Sequence, residues 1–165
     1  MKNLFFLSVL FLSSCTNVYF VSPQPEFVDE LTEIPEEYCG EFLIGSDEDS
    51  THIVTRNTID GVSISADSGL VVKARGNYFY VNIMDNQGYY NLYIFRLIKC
   101  LNYENITLYA PHLYESNYTR EIQANLFNIV KRVGENEDPV LDNVTVNQLS
   151  FLTRSSNKEE IVLLK

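Results

Sequence analysis

The turn signals between residues 40 and 110 constrain the fold more than any other feature of the chain. Asp60-Gly61, Asp67-Ser68-Gly69, Gly76-Asn77 and Asp85-Asn86-Gln87-Gly88 separate short segments rich in β-branched and aromatic residues. Short segments joined by such tight turns predict antiparallel strands, not the alternating strands and helices of a parallel sheet. The predicted strands are 41–45, 51–56, 59–65, 70–75, 78–84, 89–99 and 105–110.

Beyond these strands the spacing of the apolar residues changes. Five of them recur every three or four positions, as on one face of a helix: Ile122, Leu126, Ile129, Val130 and Val133. This helix is predicted to begin near Thr119 and to end at Gly134, a second helix is predicted over 145–153, and a final strand over 161–164. The predicted fold class is α+β, mainly an antiparallel β-meander (a sandwich or a partly open barrel) with one or two C-terminal helices.

The first fifteen residues have the layout of an export signal. Lys2 gives a positive start, and the apolar run from Leu4 to Leu12 is interrupted only by Ser8. A run of this length is too short for a permanent membrane helix and is typical of a signal-peptide core. An ordinary signal peptide with Cys15 near its end is one interpretation of this segment.

The segment Leu12-Ser13-Ser14-Cys15 resembles the bacterial lipoprotein box. In that family the thiol of the cysteine is diacylated, the chain is cut before it, and the new amino group is acylated. The resemblance implies that 1–14 is a lipoprotein signal peptide and that acyl chains such as palmitate on Cys15 anchor the protein in the lipid bilayer. Thr16 stands where aspartate would favour the inner membrane, so the resemblance implies the outer membrane. No acidic run of the kind that marks surface export directly follows Cys15, so the resemblance favours a domain that faces the periplasm over one exposed on the surface.

The layout is similar to that of lipoproteins of Bacteroidetes bacteria for which no activity is established. Besides Cys15, the shared features are Ser22-Pro23-Gln24-Pro25, Ile34-Pro35, Gly40 and the aromatic hairpin over 76–83. Two positions depart from that pattern, Cys39 and Phe42. The resemblance supports an envelope location and a β-rich domain over 40–165, and the proline-containing residues 15–39 are predicted to be a tether.

The overall charge excludes one class of partner. The chain has 12 Lys and Arg against 22 Asp and Glu, a net charge of −10. Nucleic-acid binding requires clustered basic residues, and no basic run is present in the sequence, so nucleic acid is not expected as a partner.

Two cysteines remain once Cys15 is assigned to the anchor. Cys39 and Cys100 form an even pair in an oxidising compartment, where a disulfide between them is one interpretation and two buried thiols the other. Neither lies in a Cys-x-x-Cys motif, which argues against a redox enzyme.

The tyrosines are concentrated in one part of the chain. Nine of the eleven lie between Tyr78 and Tyr118. Tyr78 and Tyr80 share one face of their predicted strand, and Tyr89 and Tyr93 share one face of the next. These four rings are predicted either to form a wet aromatic face that binds an envelope protein or a glycan, or to pack beneath a helix.

The sequence contains no motif that identifies an enzyme, a metal site or a cofactor. The two histidines, His52 and His112, have no ligand spacing around them, and no serine-hydrolase elbow or phosphate loop is present. We therefore predict a membrane-anchored, non-catalytic binding or structural module of the envelope. Two alternatives stay open, a glycan-acting enzyme that uses a pair of carboxylates and an acidic inhibitor or immunity-type lipoprotein directed at a basic enzyme.

Overall fold

The computed structural model describes residues 15–44, 51–100, 103–110, 112–114, 126–135, 137–155 and 157–164. Within these ranges one α-helix, α1, spans Val146–Ser155, and a short 3-10 turn spans Glu36–Tyr38. The strands are β1 Cys15–Asn17, β2 Tyr19–Phe20, β3 Gly40–Ile44, β4 Thr51–Val54, β5 Thr58–Ile59, β6 Val62–Ser63, β7 Leu70–Arg75, β8 Tyr78–Met84, β9 Tyr90–Cys100, β10 Tyr103–Ala110, β11 His112–Tyr114, β12 Asn128–Val133, β13 Asp138–Asp142 and β14 Asn157–Leu164.

The long strand β9 organises the sheet. One of its edges pairs with β8, which in turn pairs with β7. Two strands pair with its other edge. β10 pairs with the C-terminal part of β9, and β2 pairs with its N-terminal end. From β10 the sheet continues through β14, β3, β4, β5 and β6, and from β2 it continues through β13 to β12. The pairing of β13 with β2 is parallel, and the other pairings between described strands are antiparallel.

The curled sheet carries an apolar core on each of its faces. The sheet is curled into a half-barrel, and α1 covers part of one of its two faces. The core beneath α1 contains Phe20, Ile94, Leu149 and Leu152, and the core on the other face contains residues such as Phe79. Side chains on the central strands therefore alternate between two buried environments, which explains why these strands are apolar on both sides.

The predicted α+β class is confirmed, and so are several of its elements. Strands 70–75 and 78–84 have the predicted bounds, the predicted helix over 145–153 is α1, and the final strand is the longer β14. The turn at Asp60-Gly61 joins β5 and β6, and both of its residues have positive φ, 51° and 79°. This is the left-handed geometry that a two-residue hairpin turn requires.

The first predicted helix is wrong over the part of it that is described. Residues Asn128–Val133 form β12, while 115–125 lie outside the described residues. Val130, assigned to the buried face of a helix, is 50% exposed. A bulge between Ile129 and Lys131 breaks the strict alternation that identifies a strand, so the spacing resembles a helical one.

The prediction of a tether over 15–39 is also wrong. Phe20 is completely buried, and Val18, Ile34 and Tyr38 are at most 5% exposed. The three prolines restrict the local backbone, but they do not keep the neighbouring apolar side chains out of the core. This segment is an integral part of the folded domain.

Two buried polar side chains of the sheet hold the proline-containing segment 23–25. The Lys73 Nζ donates to the carbonyl oxygens of Pro23 (2.9 Å) and Pro25 (3.0 Å). The Asn82 Oδ1 accepts from the Gln24 N–H (2.7 Å), and the Asn82 Nδ2 donates to the Gln24 carbonyl (2.9 Å). Burial lowers the pKa of Lys73, against the opposing effect of Glu30. We call these contacts the segment clamp, because they satisfy backbone groups that burial has removed from water.

Tyr38 leads to a prediction about stability at high pH. Its ring stacks on Phe79 with the centroids 4.7 Å apart, and burial raises its pKa from 10.0 to about 12. The folded state therefore favours the neutral phenol, so its contribution is fully present below pH 10 and is lost as the pH rises towards 12. We expect Tyr38→Phe to reduce the loss of unfolding free energy between pH 10 and pH 12 by about 2 kcal/mol. Urea titrations at pH 8, 10 and 12 measure this, and identical pH profiles for the two proteins would contradict it.

Candidate functional site

A cleft opens between α1 and the strands β8 and β9. Its volume is about 670 Å³, within the range that holds a small ligand. We call it the arginine cleft, because three of the chain's six arginines line it. Its lining residues are Phe27, Arg75, Gly76, Asn77, Tyr78, Tyr80, Ile94, Arg96, Val146, Leu149, Ser150, Thr153 and Arg154.

The strand side of the arginine cleft is built by one hairpin and its register. Gly76 and Asn77 form a two-residue turn between β7 and β8, and Gly76 has a φ of 59°. A positive φ at the first turn position favours glycine, since it has no Cβ. The register places Tyr78 opposite Arg96. Directly opposite residues share a sheet face, so both side chains point towards α1.

The helix side comes from one face of α1. Val146, Leu149, Ser150, Thr153 and Arg154 recur at the spacing that places residues above one another on a helix. Leu149 is buried against the sheet, whereas Ser150 and Arg154 are exposed. α1 therefore supplies a buried apolar residue, Leu149, to the floor of the cleft and a cationic residue, Arg154, to its edge.

The floor of the arginine cleft is apolar and its rim is cationic. Tyr80, Ile94 and Leu149 are 9%, 0% and 5% exposed, so their side chains are already packed in the core. Arg75 and Arg154 are exposed at the rim, where water and ligands reach them. Burial raises the pKa of Tyr80.

Aromatic rings, not carboxylates, hold two of the three guanidinium groups. Arg75 lies over the Phe27 ring, 5.3 Å from its centroid, and Arg96 lies over the Tyr78 ring at 5.8 Å. A hydrogen bond with Tyr109 raises the pKa of Arg96 further above its usual value. Among the described residues that line the cleft there is no Asp or Glu. Within an acidic protein, this is a locally positive site whose charges are not neutralised by lining carboxylates.

The four tyrosines predicted to form one aromatic face do not lie on one face. Tyr78 and Tyr80 point towards α1, as in the prediction that the rings pack beneath a helix. Tyr93 lies opposite Val81 and packs against the other core. Tyr89 lies beneath Lys131, whose Nζ is 5.7 Å from the ring centroid. The four-tyrosine surface is therefore corrected to a pair, Tyr78 and Tyr80, which belongs to the arginine cleft.

Of the two interpretations of Cys39 and Cys100, a disulfide or two thiols, the disulfide is not the one that the structure shows for Cys39. Cys39 is a free thiol whose Sγ lies 3.6 Å from the Pro35 carbonyl oxygen, and burial raises its pKa. Strands β10 and β14 lie between β9, which ends at Cys100, and β3, which follows Cys39. Three interstrand spacings amount to roughly 14 Å, whereas a disulfide requires Cα atoms within about 7 Å.

The remaining sequence candidates form no catalytic or metal-binding cluster in the described part of the chain. The His52 Nδ1 lies 2.7 Å from the Asp60 Oδ2 on the surface. Burial raises the pKa of Asp60, but the hydrogen bonds from His52 and the Ile53 N–H outweigh it and lower the pKa overall. No group of three metal-ligating side chains occurs among the described residues. The backbone of Cys15 pairs with Tyr114 in β11, and 1–14 lie outside the described residues.

The sequence interpretation missed all three cleft arginines. They stand at 75, 96 and 154, on three separate elements, and none lies in a basic run or a known motif. The one local signal is that Arg75 and Tyr78 flank the two-residue turn at Gly76-Asn77.

Comparison of the chain with known proteins finds no matching family model, no matching curated protein and no matching solved structure. Across the described residues, the longest helix falls short of the length and apolar character needed to cross a bilayer.

Proposed function

We propose that the protein is a membrane-anchored lipoprotein of the bacterial outer membrane whose domain is a non-catalytic module that binds an anionic ligand in the arginine cleft. The observation that carries the binding proposal is the convergence of Arg75, Arg96 and Arg154 on one cleft without a lining carboxylate. Guanidinium groups donate paired hydrogen bonds that fit carboxylate, phosphate and sulfate groups. The lipoprotein box supports the anchor, and a periplasmic orientation is part of the proposal.

The structure changes how such an anchor would present the domain. The Asn17 N–H donates to the Asp138 Oδ1 at 3.0 Å, and Val18 is buried. The folded domain therefore begins within two or three residues of Cys15, a reach of about 7–10 Å. With acyl chains on Cys15, the domain would lie close to the headgroups and not at the end of a flexible tether.

Two alternatives predicted from the sequence have less support. A glycan-acting enzyme needs a pair of carboxylates at its site, and the described lining of the arginine cleft supplies none. An acidic inhibitor of a basic enzyme is consistent with the net charge, but a positive cleft is not a feature that this function needs.

The anchor is tested by labelling bacteria that express the full chain with radioactive palmitate. We expect label on the wild-type protein and none on Cys15→Ala, because the acylated thiol is absent. Cys39→Ala is the matched control and should keep its label. Unlabelled wild-type protein, or a labelled Cys15→Ala protein, would contradict the lipid anchor.

The binding proposal is tested by calorimetric titration of the full chain, in a neutral detergent, with pyrophosphate as the anion. We expect Arg96→Gln and Arg154→Gln each to weaken binding by about tenfold or more, because a hydrogen bond to a charged group contributes about 1.5–3 kcal/mol. Arg56→Gln is the control with the same charge change, since Arg56 pairs with Glu36 on the exposed surface, away from the cleft. Equal affinities for pyrophosphate in all four proteins would contradict the proposal, and so would a wild-type protein that binds neither pyrophosphate nor a sulfated disaccharide.

A further inference from the structure

We propose that the ligand of the arginine cleft is an acidic saccharide, with sulfate or carboxylate groups at two or more positions of its rings. This inference rests on the proposed anion-binding function and adds the class of ligand. Three features of the lining carry it: the distribution of the charges, the neutral polar groups between them, and the small apolar area that the floor offers.

The charges are distributed around the cleft and not gathered at one point. Arg75 ends β7, Arg96 lies within β9, and Arg154 lies in the last turn of α1. Guanidinium groups on three different elements match anionic groups that are spread over the body of a ligand. A single phosphate or carboxylate would leave part of this charge unmatched.

Neutral hydrogen-bonding side chains line the same cleft. They are the amide of Asn77 and the hydroxyl groups of Ser150 and Thr153. Asn77 and Ser150 are exposed, and the Thr153 hydroxyl donates to the Leu149 carbonyl at 2.8 Å, which leaves its oxygen able to accept. Hydroxyl and amide groups both donate and accept, so they complement the hydroxyl groups of a sugar.

The apolar surface in the cleft suits the face of a ring better than an acyl chain. The floor residues Tyr80, Ile94 and Leu149 are packed in the core and offer little free surface. The exposed apolar groups are at the edge, where Phe27 is 44% exposed and Val146 is 49% exposed. An acyl chain needs a deep apolar channel, whereas the C–H face of a sugar ring needs only a small apolar or aromatic patch. An acidic saccharide is therefore favoured over an anionic phospholipid.

Calorimetric titration of the full chain, in neutral detergent, with four probes tests this inference. The probes are trisulfated heparin disaccharide, its unsulfated counterpart, pyrophosphate, and vesicles that contain phosphatidylglycerol. We expect the sulfated disaccharide to bind about tenfold or more tightly than either pyrophosphate or the unsulfated disaccharide, and Arg154→Gln to weaken it about tenfold.

A second variant distinguishes recognition of the sugar's hydroxyl groups from attraction to its anionic groups alone. Asn77→Ala combined with Ser150→Ala should weaken the sulfated disaccharide about threefold or more and weaken pyrophosphate by a smaller factor, because only the saccharide has hydroxyl groups that these side chains can both donate to and accept from. Asn86→Ala, in the exposed turn between β8 and β9, is the control.

The possible failures are distinct. If pyrophosphate binds through the arginines but the sulfated disaccharide binds no more tightly, the saccharide inference is overturned and anion binding stands. Arginine-dependent binding to the vesicles without disaccharide binding also overturns it, in favour of a lipid headgroup. If neither pyrophosphate nor disaccharide binds, the proposed function falls together with the inference.

Discussion

Replacing Phe20 by alanine is expected to destabilise the protein by about 3–5 kcal/mol. The Phe20 side chain is completely buried in the core beneath α1, in contact with a cluster that includes Ile94 and Leu141. Truncation removes most of its apolar area from the core and leaves a cavity, which the neighbouring side chains fill only in part. Since a domain of this size has a stability of about 5–15 kcal/mol, this loss is a large share of the total.

Phe27 provides the matched control, because it is the same residue type in the same N-terminal segment. Its side chain is 44% exposed and contacts Arg75 at the rim of the cleft. We expect Phe27→Ala to cost less than about 1 kcal/mol. Urea denaturation followed by far-UV circular dichroism measures both values, and Phe20→Leu serves as a milder variant if Phe20→Ala does not fold.

The pair of variants also distinguishes a folded N-terminal segment from a tether. In a tether both phenylalanines would be solvated, and both substitutions would leave the denaturation midpoint unchanged. A midpoint shift confined to Phe20 is the result that integration of the segment requires. Equal, small effects would contradict the burial of Phe20.

Local features of the sequence were sufficient to predict the hairpins. The strand Tyr78–Met84 follows a glycine-containing turn and is rich in residues that favour strands, so both of its ends could be predicted. The helix Val146–Ser155 could also be predicted, since it has an apolar face and is not interrupted by a bulge. These elements depend on neighbours within a few residues.

The order of the strands could not be predicted, because it depends on contacts between distant parts of the chain. β14 is inserted between β10 and β3, so the last described strand pairs with one that precedes it by more than a hundred residues. The separation of the tyrosines onto two faces has a different cause. Each strand's alternation was predicted, but the register that aligns Tyr78 with Arg96 and Val81 with Tyr93 is set by the turn between the strands.

The arginine cleft shows why a net charge does not describe a site. The net charge of −10 and the absence of basic runs along the sequence argue against a nucleic-acid partner. Neither observation describes how folding arranges separate residues, and Arg75, Arg96 and Arg154 meet only after β7, β9 and α1 have packed together. A positive site in an acidic protein is visible in the folded chain alone.

The second large effect is expected at the segment clamp. Asn82 is completely buried, and its side chain satisfies both the N–H and the carbonyl of Gln24, at 2.7 and 2.9 Å. Leucine has the same branched arrangement of four side-chain heavy atoms as asparagine and is the larger residue, so Asn82→Leu leaves no cavity but removes both hydrogen bonds. A buried polar group left without a partner costs about 1–3 kcal/mol, so we expect a total loss of about 2–5 kcal/mol.

Asn86→Leu is the control for this substitution, because Asn86 lies in an exposed turn and the change should stay within about 0.5 kcal/mol. Amide hydrogen exchange adds a readout at the atom concerned. The Gln24 N–H should exchange slowly in the wild type and much faster in Asn82→Leu, since the acceptor that holds it is gone. If Asn82→Leu loses less than about 1 kcal/mol and the Gln24 amide remains protected, that amide has another partner and the clamp is not what holds residues 23–25 against the sheet.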